Sequence, residues 1–214
     1  PTLRTMIRAR KQVVLLADES GGVALYSVDA SSAGIGVTAC AHVDPTRKVF
    51  DVAHDNGLRT GAYVSKSKFT ILDQSYGEDH GAPDMTGSDD GTDKIDTFVY
   101  DGETERLVDR FISDMQDDPY GFAFVHLGDP DGHGHSHRWS LRESSSYMEA
   151  VRKVDALLGK ILDMAETDPR LRGNTAIVLT ADHGGRGWSH NDAASDDNYT
   201  IPFYAWGAGI ESAD

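Results

Sequence analysis

FAFVHLGDPDGHGHSH, residues 122–137, joins the most strand-like run of the chain to its densest group of metal-ligand side chains. FAFVHL is aromatic and β-branched and reads as a central strand. The nine residues after Gly128 hold three histidines and two aspartates with glycines between them. A solvated loop has no need of that composition, whereas a cation site does. A second segment of the same kind lies further on. NTAIVLT (174–180) reads as a strand and runs into DHGG (182–185). In open α/β sheets ligands bind beyond the carboxyl ends of the strands, so the two acidic, histidine-rich segments fall where one shared site would form.

The rest of the chain supplies the frame for that sheet. KQVVLLA (11–17), VALYSV (23–28), RTGAYVS (59–65) and KIDTFVY (94–100) read as further strands, the last at an edge. IPFYAWG (201–207) is the final strand, and Pro202 favours an edge or strand-start position for it. Between them, 46–57 suits a short helix capped by Thr46 and ended by Gly57. Leu107, Val108, Phe111, Ile112 and Met115 repeat at helical spacing before Pro119. A longer helix starts near 140 or 146, since Ser140 with Glu143 and Ser146 with Glu149 both fit a capping box, and it runs to about 165. Its apolar face is Tyr147, Val151, Val154, Leu158 and Ile161. Residues 73–94 are rich in Asp and Gly and read as a long surface loop. Alternating strands and helices predict a three-layer α/β/α sandwich around a mostly parallel sheet, formed as one domain over 1–214. The opening Pro1 fits a processed chain or a piece of a longer one.

Composition limits the partners. The 214 residues carry a formal net charge of -15, which disfavours polymeric nucleic acid and anionic membranes. A small anionic substrate stays compatible, because a bound cation inverts the local field. The single cysteine, Cys40, forms no intrachain disulfide. No apolar run approaches the roughly 20 residues that span a bilayer, and none reads as a signal peptide.

Carboxylate and imidazole donors together suit zinc, manganese or iron better than magnesium or calcium. Within 129–137 two pairs share a four-residue spacing, Asp131 with His135 and Asp129 with His133, and spacing alone leaves both open. The intervening glycines let the backbone turn so that both members of a pair point inward. Asp182 and His183 are adjacent, and His190 in GRGWSH could close a ligand set. His126, inside the strand, is a core or supporting residue; His137, beside Arg138, is exposed; His42, His54 and His80 show no partner pattern. Trp139, Trp188 and Trp206 are packing residues, with Trp188 able to wall a pocket. Lys66 and Lys68 in SKSKF follow a strand; they are either solvated or aimed at a substrate phosphate.

PDGHGHSHRW (130–139), TADHGG (180–185) and NYTIPFYAWGAG (198–209) resemble the alkaline phosphatase superfamily, and its type I phosphodiesterase/nucleotide pyrophosphatase group most of all. KVFDVAHDNGLRTGAYVSKSKF (48–69) is similar to members of that group too, so the resemblance covers about 46–210. It implies hydrolysis of phosphoric esters, diesters ahead of monoesters, at a site with two divalent metals, usually zinc, with manganese as the alternative. It implies that Asp131, His135 and His190 hold one metal and Asp182 and His183 the second, since the family pattern PD-x-x-GH selects Asp131 over Asp129. The family also places an aspartate after its first strand and a Ser or Thr nucleophile at a later helix N-terminus. Asp18 would match the first; Thr38, Ser31 or Ser32 would match the second, although none sits in the family's motif and the usual opening segment is shortened, replaced or missing. The expected partner is a small phosphorylated substrate, and the resemblance favours an extracytoplasmic setting. A sulfatase would carry a C/S-x-P-x-R segment, and Cys40 is followed by AHVD instead. The other reading is a metal-binding member of the fold without hydrolase activity.

Overall fold

The computed structural model describes residues 12–18, 49–54, 56–76, 93–192 and 194–210, with only the backbone of 12–18 and of Asp51. The described elements are, in chain order, β1 (Gln12–Asp18), α1 (Val49–His54), β2 (Thr60–Val64), a 3-10 turn (Ser67–Phe69), α2 (Thr70–Ser75), β3 (Thr97–Tyr100), α3 (Thr104–Asp117), β4 (Phe122–His126), α4 (Asp129–His137), α5 (Ser146–Thr167), β5 (Thr175–Ala181), α6 (Asp196–Tyr199) and β6 (Phe203–Gly207).

The strands form one sheet in the order β3-β2-β4-β1-β5-β6. All neighbours run parallel except β6, which pairs antiparallel with β5 at the edge. β4 is interior, β3 is an edge, and Pro202 lies just before the edge strand β6, where a missing N–H interrupts no central ladder. Parallel pairing requires crossovers, and the helices that make them cover both faces. Alternation along the strands sorts the core. Tyr63, Ala123, Val125 and Ile177 meet α3 and α5 through Leu107, Phe111, Met115, Leu157 and Ile161. Ala62, Val64, Phe122 and Ala176 face the other way, onto Phe50 and Ala53 of α1, then Phe69 and Leu72. The protein is thus a mixed α/β fold with helices on both faces of a mostly parallel sheet.

Several local readings shift, with physical reasons. The long helix is capped by Ser145, whose hydroxyl accepts from Met148 N at 3.2 Å, and not by Ser140 or Ser146. Ser145 Oγ also donates to Ser140 O at 2.6 Å, which holds it outside the helix. The Ser146 hydroxyl is taken up by His133 Nδ1 at 2.9 Å. The most buried face of α5 is Ala150, Leu157, Ile161, Met164 and Ala165, so Ile161 belongs to it while Val154 and Leu158 flank it. The acidic loop begins later than its composition suggests, because Asp73–Ser75 close α2. The strand 23–28, the Thr46 cap and most of the 73–94 loop lie outside the described residues.

The register places the carboxyl ends of four strands in one row. Val64 pairs with His126, His126 with Ala17, and Ala17 with Thr180. The residues that follow these strands therefore emerge at one edge of the sheet: Ser65 and Lys66 after β2, Gly128 and α4 after β4, Asp182 and His183 after β5.

His126 anchors this row and is fully buried. Its Nδ1 lies 3.0 Å from Ser65 Oγ, which accepts from Gly128 N at 2.8 Å, and its ring packs on Phe69. Burial first, then the neighbouring Lys66 and Lys68 charges, push its pKa down to about 3. The unfolded chain takes up a proton on this residue below its ordinary value of 6.5, and the folded chain does not. Stability therefore falls as pH drops from 6.5 towards 3, by about 1.4 kcal/mol per pH unit. His126→Gln should remove this dependence: between pH 6.5 and about pH 4 the wild type should lose about 3 kcal/mol more stability than the variant. Urea unfolding across that range measures it, and parallel pH profiles for the two proteins would refute it.

Candidate metal centre

DPDGHGHSH forms a nine-residue helix, not the glycine-turned segment its composition suggests. Pro130 suits a first turn, where its missing N–H has no partner to lose. Helical spacing then gives each i,i+4 pair its own direction. Asp129 and His133 turn towards α5, where Asp129 Oδ1 pairs with Lys153 Nζ at 2.7 Å and His133 meets Ser146. Asp131 and His135 turn towards the segment after β5. His135 Nε2 lies 3.3 Å from Asp131 Oδ1. One donor atom from each of Asp131, His135 and His190 lies within 4.8 Å of the others.

The three residues differ in exposure. Asp131 is 7% exposed, His190 is half-buried and His135 faces solvent. Asp131 Oδ2 accepts from Lys66 Nζ at 2.6 Å. Its other oxygen, Oδ1, is buried and accepts no hydrogen bond. A buried carboxylate oxygen with no hydrogen-bond partner, beside imidazoles, fits a cation, because Lys66 satisfies only the other oxygen. Desolvation, then the neighbouring His183 and His135, hold the His190 pKa below the usual histidine range. That favours the neutral imidazole, the form that donates a lone pair to a metal.

His183 joins from the end of β5. Its ring stacks on His190 with centroids 4.0 Å apart and planes 14° from parallel. Its backbone N–H is held by Asp182 Oδ1 at 3.0 Å, and its Nδ1 lies 2.5 Å from Gly184 O. The carboxylate of Asp182 is close enough to favour the protonated form of His190. Asp18 ends β1, and its backbone is in register with Ala181, one residue before Asp182. Thr38, Ser31 and Ser32 lie outside the described residues.

Two contacts escape sequence reasoning. Lys66, read from the sequence as either solvated or aimed at a substrate phosphate, holds Asp131, while Lys68 lies 5.6 Å from the centroid of the Phe69 ring. Trp139 sits among the candidate ligands, with ring centroids 4.8 Å from His135 and 5.6 Å from His190. The available signal was indirect: Gly134 and Gly185 leave room beside two candidate ligands. Trp188 is 61% exposed, with Arg138 above its ring.

A strand-end cluster of a carboxylate and imidazoles on a mostly parallel α/β sheet makes this a mixed α/β protein with a candidate metal centre. Residues 25–201 match the family described as type I phosphodiesterase / nucleotide pyrophosphatase, and the chain belongs to that family. Among curated proteins it is similar to GPI ethanolamine phosphate transferase 1 of Mus musculus, 32% identical over 148 residues, covering 67% of this chain and 15% of the relative. The Homo sapiens protein of the same name is 32% identical over 139 residues, covering 63% and 14%. The match thus spans about 15% of the length of such relatives. Murine ectonucleotide pyrophosphatase / phosphodiesterase 5 in complex with AMP superposes with a TM-score of 0.42 at 20% identity, covering 64% of this chain and 32% of that one. The lipoteichoic acid synthase LtaP of Listeria monocytogenes gives 0.41 at 15% identity, covering 95% and 67%. No helix among the described residues is long and apolar enough to cross a membrane.

Proposed function

We propose that the protein is a metal-dependent enzyme that cleaves a phosphodiester and passes the phosphoryl group to water or to an alcohol. The observation that carries this reading is the convergence of Asp131, His135 and His190, with donor atoms within 4.8 Å of one another beyond the carboxyl ends of parallel strands. These three would hold one divalent ion, zinc or manganese. Asp182 and His183 would hold a second, with Asp18 beside them by register. Bound cations supply Lewis acidity towards the phosphoryl oxygens and neutralise charge on the leaving oxygen.

The chain's own groups prepare that chemistry. Lys66 neutralises one oxygen of Asp131 and turns the other towards the imidazoles. Desolvation keeps His190 in its ligating form. The scissile P–O bond breaks to release an alcohol, and a new P–O bond forms to the acceptor. Ser31, Ser32 and Thr38 are the sequence candidates for an intermediate hydroxyl acceptor.

Transfer competes with hydrolysis because the curated relatives are named as ethanolamine phosphate transferases. The two share the cleavage step and differ in the acceptor. Purified protein loaded with zinc should hydrolyse bis(p-nitrophenyl) phosphate, lose turnover with a chelator and regain it with zinc. Adding a primary alcohol should divert product from the phosphomonoester to a new diester if transfer dominates. Turnover unaffected by chelation would refute the proposal. Zinc-loaded protein that leaves every diester intact, with or without acceptor, would favour the non-catalytic metal-binding reading.

A further inference from the structure

We infer that Trp139 is a positioning residue of the cation centre: its indole fixes the planes of His135 and His190 and so presets the imidazole donors from two separate chain segments. This rests on the metal-centre reading above and goes beyond it, because Trp139 is not itself a ligand.

The ring geometry is the first observation. The indole meets His135 edge-on at 74° and His190 at 75°, while the two imidazoles stand at 79° to each other with centroids 5.0 Å apart. The three rings make a closed triangle in which each limits the rotation of the other two. T-shaped aromatic contacts of this kind favour a defined orientation beyond simple area burial. The stacked His183 restricts His190 further. The backbone is the second observation. Trp139 N donates to Gly187 O at 2.8 Å in an isolated antiparallel bridge, which ties the end of α4 to the segment carrying His190.

The glycines are the third. A Cβ on Gly134 would lie 2.2 Å from the indole, and one on Gly185 would lie 2.5 Å from it. Gly134 is next to His135 and Gly185 follows His183 by two, so both ligand-bearing segments lack a side chain where the indole enters. Glycine inside a helix is less stable than alanine, so Gly134 is explained by the space its neighbouring indole needs. Gly132, in the same helix, has open space around its Cβ position and makes no such contact.

The test combines zinc titration calorimetry with NMR of the histidine rings in metal-free protein. Trp139→Ala should weaken zinc binding about ten- to a hundredfold, the range seen when groups supporting metal ligands are removed. Trp139→Phe should recover most of that loss. Gly134→Ala should weaken binding when the indole is present and have no effect in the Trp139→Ala background, while Gly132→Ala should leave affinity unchanged in both. In metal-free protein the imidazole resonances of His135 and His190 should move in Trp139→Ala and return towards their original positions in Trp139→Phe.

Folded Trp139→Ala with wild-type zinc affinity would overturn the inference. So would a Gly134→Ala penalty that is equal with and without the indole. Should Trp139→Ala fail to fold, Trp139→Phe and the two glycine variants carry the comparison. A wild-type protein that takes up no zinc would refute the metal-centre reading alone. The metal-free resonances would then decide the role of Trp139, and identical His135 and His190 signals in wild type and in whichever Trp139 variant folds would overturn it.

Discussion

Asp131→Ala should lower zinc affinity by at least about a hundredfold, the upper end of what loss of even a supporting residue costs, and phosphodiester turnover should fall with it. Asp131 is the most buried of the three converging residues and the one that brings charge. Two neutral imidazoles alone make a weak site. The fold should tolerate the change, because the Lys66 side chain is about a quarter exposed and its flexible stem can carry the ammonium to solvent. Asp129→Ala is the matched control. Asp129 is also nearly buried and also salt-bridged, but to Lys153 of α5 and away from His190. It should cost stability and leave zinc affinity unchanged. Calorimetric titration of both variants, with urea unfolding alongside, separates the two. Loss of zinc in Asp129→Ala with retention in Asp131→Ala would reverse the assignment.

Phe111→Ala should destabilise the protein by about 3–5 kcal/mol. Phe111 is fully buried on α3, and its ring meets Tyr63 of β2 edge-on at 5.1 Å. Tyr63 in turn carries a hydroxyl that Asp114 and Tyr120 hold at 2.5 and 2.8 Å, and burial pushes its pKa far up. Removing the phenyl ring leaves a cavity beside a polar cluster whose partners are fixed, so the surroundings cannot collapse to fill it. The core between α3, α5 and the sheet lies away from the candidate ligands. Zinc affinity of the folded fraction should therefore be unchanged, and saturating zinc should restore part of the apparent stability. Thermal and urea unfolding, each with and without zinc, test this. A loss below about 1 kcal/mol would mean that the site repacks freely.

Strands and long helices were legible because burial writes a period into the residues. FAFVHL and the AIVL of NTAIVLT run apolar with little interruption, as strands covered on both faces do. Leu107, Val108, Phe111 and Met115 mark the buried stripe of α3 directly. α4 was not legible as a helix. Its two glycines, proline and three histidines have poor helix propensity, and the helix is held by contacts with α5. Spacing alone could not separate Asp131 and His135 from Asp129 and His133, because both pairs differ by four. Only the direction in which the helix leaves β4 sends one pair to α5 and the other to His190. The places of Lys66 and Trp139 were hidden for a related reason. Lys66 reaches Asp131 across two strands that are neighbours in the sheet but far apart along the chain, and Trp139 depends on a bridge to Gly187.

The position of β1 between β4 and β5 has a kinetic consequence. The donors on α4 and those after β5 are flanking arrivals on either side of the earliest described strand. Neither side alone gathers the full set, so a chain that binds zinc at the proposed centre should gain that uptake on refolding only after both strands have docked. A zinc-sensitive dye present during refolding would therefore clock closure of the sheet, separately from the helix formation reported by far-ultraviolet dichroism.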